Sequence, residues 1–442
     1  QSAILCGDGN LTSGESSLSA GEDNQVFGYL ALALGGQIHF VEPEGASVVG
    51  GFSHTILGTQ GLNSAIIAGN TNVLTGDSTN SVILGGRTHR LMAINAGILG
   101  GSRHIVSGAS AVILGGAAGL CSGSGAAIIG GQSHENYGDS AVILGGEDNY
   151  TQSASSAIIG GTQHVIDKTS SDNAGIFAGL TNTITGQSSY GGIFVGQSNR
   201  LMGLRSAIIG GNANTISGQS SAVIVGGITN VASGANSVIA GGDRNATFNT
   251  DAFIGGGIQN FVGSSDAGIV AGDSNRIISN QADGSVIAGG ILNRISGESS
   301  YSVIVGGQGN HLRGLQSVIL AGDSNKISGN YCTVLGGTSA LASGNKSAVW
   351  GDRARTFHNG AVVLADSTTN REKLSYGQDS LTIDFSGAVW ITGGGVNARR
   401  GFNIYPTGDT PTASIGGRSG DFAYKDDFLY VFTGDNADLS NK

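Results

Sequence analysis

Proline, cysteine, methionine and tryptophan are scarce, at 3, 3, 2 and 2 of 442 residues, and only 12% of the chain is charged. With so little proline and no Gly-X-Y period, the 79 glycines do not describe collagen. The low charge, set against abundant Ile and Val, excludes ordinary disorder, because there is ample apolar surface to bury. No apolar run approaches the roughly 18 residues a spanning helix needs, so membrane insertion is not expected. A net charge of −10 argues against nucleic acid as a partner. Cys6, Cys121 and Cys332 lie more than 100 residues apart, too far in a stacked chain for intrachain disulfides, and are expected as buried reduced thiols.

What the chain has instead is one unit, repeated. Ser206–Asn214 reads Ser-Ala-Ile-Ile-Gly-Gly-Asn-Ala-Asn, and variants recur at 110–116, 285–290 and 302–307. Taking the second glycine as marker gives 23 rungs from Gly7 to Gly351, mostly 15 residues apart. Fifteen residues hold two short strands and two tight turns, which predicts a parallel β-solenoid and is too short for a helical repeat. At roughly 4.8 Å per rung, such a stack is on the order of 110 Å long.

Three columns organise the rung. Two residues before the first glycine stands Ile in most rungs (Ile66, Ile83, Ile98, Ile113 and onward to Ile319), and the next residue is usually apolar too: Leu84, Leu99, Leu114, Phe177, Phe194, Val225 and Val305. Neighbouring strand residues face opposite ways, so this strand is apolar on both sides. One side fills the roll; the other asks for a second partner, which identical subunits around an axis would supply. The second strand carries one apolar residue between polar ones, as in Asn214-Thr215-Ile216-Ser217, and is expected to face water. Three residues past the marker comes Asn in 14 rungs and His in six (His39, His54, His89, His104, His134, His164). Both residues tolerate left-handed backbone and bond to nearby main chain, which predicts a turn ladder. One His per rung with Asn interleaved is poor metal geometry, and no cofactor is expected.

A longer period lies over the short one. Rungs of 18 and then 17 residues begin at 51, 161 and 272, so seven rungs make a larger repeat whose extra residues fall at 58–63, 167–173 and 279–284. Bulky outward residues follow each: Arg90-Leu91-Met92, Arg200-Leu201-Met202 and His311-Leu312-Arg313, with Tyr190 and Tyr301 in matching loops. Residues 1–351 therefore read as the shaft. Beyond Gly351 the rungs are expected to stop: 352–400 reads as a capping β region, with a closing strand-turn-strand at 353–366 and a strand within 380–397, and 401–442 as a module whose hairpin turns at Lys425-Asp426-Asp427.

The unit Asn-x-Ile-x-Gly-x-x-Ser-x-Ile-Ile-x-Gly-Gly resembles the head repeats of YadA-like trimeric adhesins over about residues 2–366. Trp350-Gly-Asp-Arg-Ala-Arg-Thr-Phe-His-Asn-Gly looks like the usual ending of that repeat, and Gly420-Asp-Phe-Ala-Tyr-Lys-Asp-Asp-Phe-Leu-Tyr-Val-Phe-Thr resembles a short module of bacteriophage and large-virus structural proteins. The resemblance implies a homotrimer of left-handed parallel β-rolls. Adhesin-head rungs are usually slightly shorter, and no coiled-coil stalk or anchor barrel follows here. The expectation is a virion fibre, such as a phage tail fibre, that contacts a host-surface glycan or protein. The alternative is a bacterial cell-surface adhesin or extracellular sheath or filament subunit. Repeat sequence begins at Ser2, so attachment to other virion or surface-structure proteins is expected through sequence ahead of Gln1.

Catalytic signals are poor: glycine motifs are inevitable at this composition, the calcium nonapeptide has the wrong period, and Glu42, Glu44, Asp366 and Asp384 are isolated. No flat Thr ladder supports ice binding. The chain is not expected to be an enzyme. Candidate receptor-binding residues are instead the outward ones. Arg276, Arg294, His311 and Lys326 take the slot after Asn in four consecutive rungs, either neutralised by Asp273, Glu298 and Asp323 or presented to an anionic glycan. Arg90, Arg200 and Arg313 accompany them; Met92, Met202, Tyr190 and Tyr301 either offer sugar-stacking surface or cover apolar rung edges.

Overall fold

The computed structural model describes residues 1–386, apart from 59–60, 168–170, 219 and 368–370, together with the strands Phe422–Lys425 and Phe428–Val431. Residues 1–386 form one compact unit, an all-β parallel solenoid of about 25 turns with no helix among the described residues. Each turn contributes one strand to each of two sheets. The first sheet runs from Ala3–Cys6 to Leu381–Asp384 and the second from Leu11–Thr12 to Lys373–Leu374, every strand pairing in parallel with its counterpart one turn along.

Register follows from the columns. Ile83, Ile98, Ile113, Ile128, Ile143 and Ile158 pair successively, and the column is buried at 0–1% exposure. The second sheet lays Leu74, Leu91 and Val106 against them. Burying each such side chain contributes roughly 1.5–3 kcal/mol, so a one-residue slip would forfeit a whole column.

The marker glycine is required, whereas its predecessor is not. Gly101 sits at φ +96°, and a Cβ there would stand 2.5 Å from the carbonyl oxygen of Gly116 on the next turn. Gly100, by contrast, has open space around it, and Ala68, Ala178, Ala271 and Ala321 fill the same slot elsewhere.

The Asn/His column lies inside the roll, which corrects one sequence expectation. The left-handed residue is the one before it (Ser53, Thr88, Arg103, Ser198, Gln259), while from Asn24 onward the Asn and His themselves are buried at 0–1% exposure. The hydrogen-bonding half of the expectation holds. Wherever the preceding column residue is Asn or His, the next one's N–H donates to its side chain: Asn275 to Asn260 Oδ1 at 3.0 Å, His54 to His39 Nδ1 at 3.3 Å, His104 to His89 Nδ1 at 3.2 Å. An Asn then returns two bonds, as when Asn260 Nδ2 donates to the carbonyls of Gly256 (3.0 Å) and Gly272 (2.9 Å). A His accepts at Nδ1, so it is neutral with its proton on Nε2, and in all six the buried Nε2 lacks a hydrogen-bond partner. Burial lowers all six imidazole pKa values, to about 4 for His39 and His89, which also face the stacked rings of His54 and His104.

Two further expectations change. The ladder does not stop at Gly351: Ala354–Thr356 and Val362–Ala365 are another turn of it, paired with Leu341–Ala342 and Ala348–Trp350, and one more turn follows. Parallel pairing needs only alternate burial, which Ala354, Thr356, Val363 and Ala365 supply without a Gly-Gly marker. Within that end, the buried Lys373 donates to the carbonyls of Asp352 (3.3 Å) and Asp366 (2.9 Å). Cys6, expected buried, is exposed in the first strand; Cys121 and Cys332 are buried, and burial pushes the Cys121 thiol up to about 12.

Residues 387–442 form a separate unit, in which Phe422–Lys425 and Phe428–Val431 pair antiparallel as the hairpin reading required. The turn residues Asp426 and Asp427, and the 380–397 strand beyond Ser386, lie outside the described residues.

Candidate functional site

The outer faces of the two sheets differ in chemistry. On the first sheet the residue after each core Ile points outward, and Leu84, Leu99, Leu114, Ile129, Leu144, Ile159, Phe177, Phe194 and Ile209 are each 38–46% exposed. Phe177 and Phe194 stack at 4.8 Å, their rings lying over Gly175 and Gly192. A continuous apolar stripe of this extent is far larger than scattered surface hydrophobics.

The outer slot of the second sheet holds the cationic strip. Arg276 pairs in register with Arg294, Arg294 with His311 and His311 with Lys326, so the four stand one turn apart, roughly 4.8 Å each. Arg276, Arg294, Lys326 and Arg313 are exposed, and no ion pair reaches any of them among the described residues. Asp273 and Asp323 do not neutralise the strip; they accept from the neighbouring Ser274 and Ser324 hydroxyls. His311 adds no charge at neutral pH. Burial and then Arg313, Arg294 and Lys326 lower its pKa to about 4, and its Nε2 accepts from Arg313 Nε at 3.3 Å, with Ser296 Oγ also 2.8 Å from it.

The other candidates are not gathered into one site. Arg90 and Arg200 occupy the slot of His311 in the earlier large repeats, exposed but flanked by Val73 and Ile105 or by Thr183 and Thr215 rather than by cations. Met92 and Met202, expected exposed, are half-buried because each lies over a glycine of the preceding long rung, Gly76 and Gly186. Tyr190 (62% exposed) and Tyr301 (67%) stand at left-handed turn positions seven turns apart. The Tyr301 ring lies against Gly284, where a Cβ would be 2.8 Å from Cδ1.

Three aromatic pairs escaped the sequence reading. Phe27 and Phe40, Tyr137 and Tyr150, and Phe248 and Phe261 meet at ring distances of 5.3, 5.7 and 5.2 Å. Their spacing along the chain is that of the large repeat, which is the signal that would have found them. Only the third pair leads into the strip: the Arg276 guanidinium lies 5.1 Å from the Phe261 ring centroid, a cation–π contact. The stretch from Phe248 to Lys326 is therefore the chemically specialised one.

No helix among the described residues is long and apolar enough to cross a membrane. No protein-family model matches the chain, and no curated protein matches it.

Proposed function

We propose that the chain is the shaft of a rigid homotrimeric fibre, three left-handed β-rolls side by side, carried on a virion as a tail fibre and used to contact a host surface. The observation that carries this reading is the long apolar stripe on the first sheet, continuous from Ile67 to Val225, which a monomer would leave in water. Packing that stripe around a threefold axis buries it and turns the second sheet, with its strip, outward in three copies. Parallel backbone bonding along the whole length gives the stiffness a fibre needs.

The strip supplies the contact. Unneutralised cations one turn apart repel each other, roughly 1 kcal/mol per close pair in bulk water, and an anionic surface glycan relieves that repulsion. Light scattering of the purified chain tests the assembly: three times the 44.1 kDa chain mass is expected, and a stable monomer overturns it. Replacing Arg276, Arg294 and Lys326 together with Ser should weaken attachment to host cells at least tenfold, with less salt dependence and unchanged assembly. Undiminished attachment overturns the role of the strip.

A further inference from the structure

The corner of the roll beside the third aromatic pair holds a cavity of about 440 Å³, within the ~300–1,000 Å³ usual for small-ligand sites. Phe248 lines it, and the long turn at 279–284 reaches back to contribute Asn280 and Asp283. The fold-back is held by Asn249 Nδ2, which donates to the carbonyl of Gly263 at 2.8 Å and to Asn280 Oδ1 at 3.4 Å, 31 residues away.

We propose that this cavity binds a neutral saccharide ring. Phe248 is 48% exposed and offers an aromatic face, electron-rich at its centre, to the C–H face of a pyranose. Around it the groups are those that match a hydroxyl rim. With Nδ2 of Asn249 and Oδ1 of Asn280 engaged with each other, Asn249 Oδ1 is left to accept and Asn280 Nδ2 to donate. Thr250 and Ser265 add hydroxyls, and the Asp283 carboxylate adds an acceptor for a pair of sugar hydroxyls. No basic side chain lines the cavity, so it is not an anion site, and its polar rim does not suit a lipid chain. The ligand class thus differs from that of the adjoining strip, which takes negative charge. Together they fit a surface polysaccharide with neutral and anionic residues along one chain. Phe248 has aromatic counterparts in Tyr137 and Phe27, but Asn249 corresponds to Gly138 and Gly28 there, so among the three aromatic pairs only Phe248–Phe261 carries the clasp.

The inference rests on the fibre reading for its biological setting alone, and the two fail separately. The full chain is mixed with methyl α-glucoside, methyl α-galactoside or N-acetylglucosamine at millimolar concentration, and saturation transfer from protein to sugar is read by NMR. At least one sugar is expected to receive saturation at its ring protons. Phe248→Ala abolishes it, Asn280→Ala and Asp283→Asn weaken binding at least tenfold, and Phe27→Ala leaves it unchanged. Phe248 is half in solvent, so its replacement leaves the ladder intact, which circular dichroism confirms. No transfer to any of the three sugars, or undiminished transfer in Phe248→Ala, overturns the proposal. A sugar-binding monomer would instead defeat the trimeric fibre and leave the pocket standing.

Discussion

Between His39 and His164 the buried column mixes His with Asn; from Asn182 to Asn325 it is Asn alone. Both halves use the column for one purpose, to accept the N–H of the next turn. They differ in what else the side chain does. Asn closes two carbonyls with its Nδ2, as at Asn245 and Asn260, and has no charge to gain. His leaves Nε2 without a partner and can accept at Nδ1 only while neutral. One backbone geometry thus carries two chemistries, one indifferent to acid and one dependent on its absence.

The largest effect comes from removing a side chain in the Asn half. Asn260→Leu strands the Asn275 N–H and takes a donor from the carbonyls of Gly256 and Gly272, at a cost on the order of 3 kcal/mol. Because a solenoid turn leans only on its neighbours, the loss should be local. Hydrogen exchange at the turns around residue 260 should speed up well ahead of that near Ile83. Uniform acceleration along the chain would show that the two halves fold as one unit and that the comparison between them is empty.

The next prediction uses pH. In the unfolded chain the six imidazoles titrate near ~6.5, and in the folded chain burial holds them lower, His39 and His89 at about 4. The folded value lies below the unfolded one, so their contribution is fully present above about pH 6.5 and is lost as pH falls from there toward 4. For each stacked pair this is on the order of 3 kcal/mol. Amides between His39 and His164 should lose protection across that window while those between Asn199 and Asn275 hold, a stretch that stops short of His311 and its own lowered pKa. Changing all six to Asn should abolish the difference. Equal acid sensitivity in the two halves would break the assignment to the imidazoles.

Much of this was legible in the sequence because the solenoid is periodic. The Ile column, its outward apolar neighbour and the rung length needed only the period-2 strand rule, and each stands where that rule puts it. The Asn/His column was found but misplaced, since left-handed preference and inward hydrogen bonding select the same residues; the left-handed position is held by unremarkable Ser, Thr and Arg. The end of the ladder was misread because the last turns keep alternate burial while dropping the glycine marker. The cavity at Phe248 could not be read at all. It depends on a turn reaching back to Asn249 across 31 residues, a contact no repeat pattern encodes.

The smallest effect mends a gap. Gly119 takes the column position between His104 and His134; its N–H donates to His104 Nδ1 at 3.0 Å, but it has no side chain to receive the next turn. No acceptor is in place for the His134 N–H among the described residues. Gly119→Asn should supply one. The backbone there is not left-handed, and an added Cβ meets His104 Nδ1 at 3.1 Å and the Ile113 and Ile128 methyls at 3.5 Å, so the neighbours need yield only a few tenths of an ångström. One restored buried hydrogen bond, with a glycine's freedom removed from the unfolded chain, should stabilise the turn by about 1 kcal/mol. The readout is the exchange rate of the His134 amide, expected to slow roughly fivefold. Slowing there with no change at Asn275 would place the weak point of the His half in its missing acceptor as well as in its imidazoles. Faster exchange at His134 would mean that the tight contact with His104 outweighs the new bond.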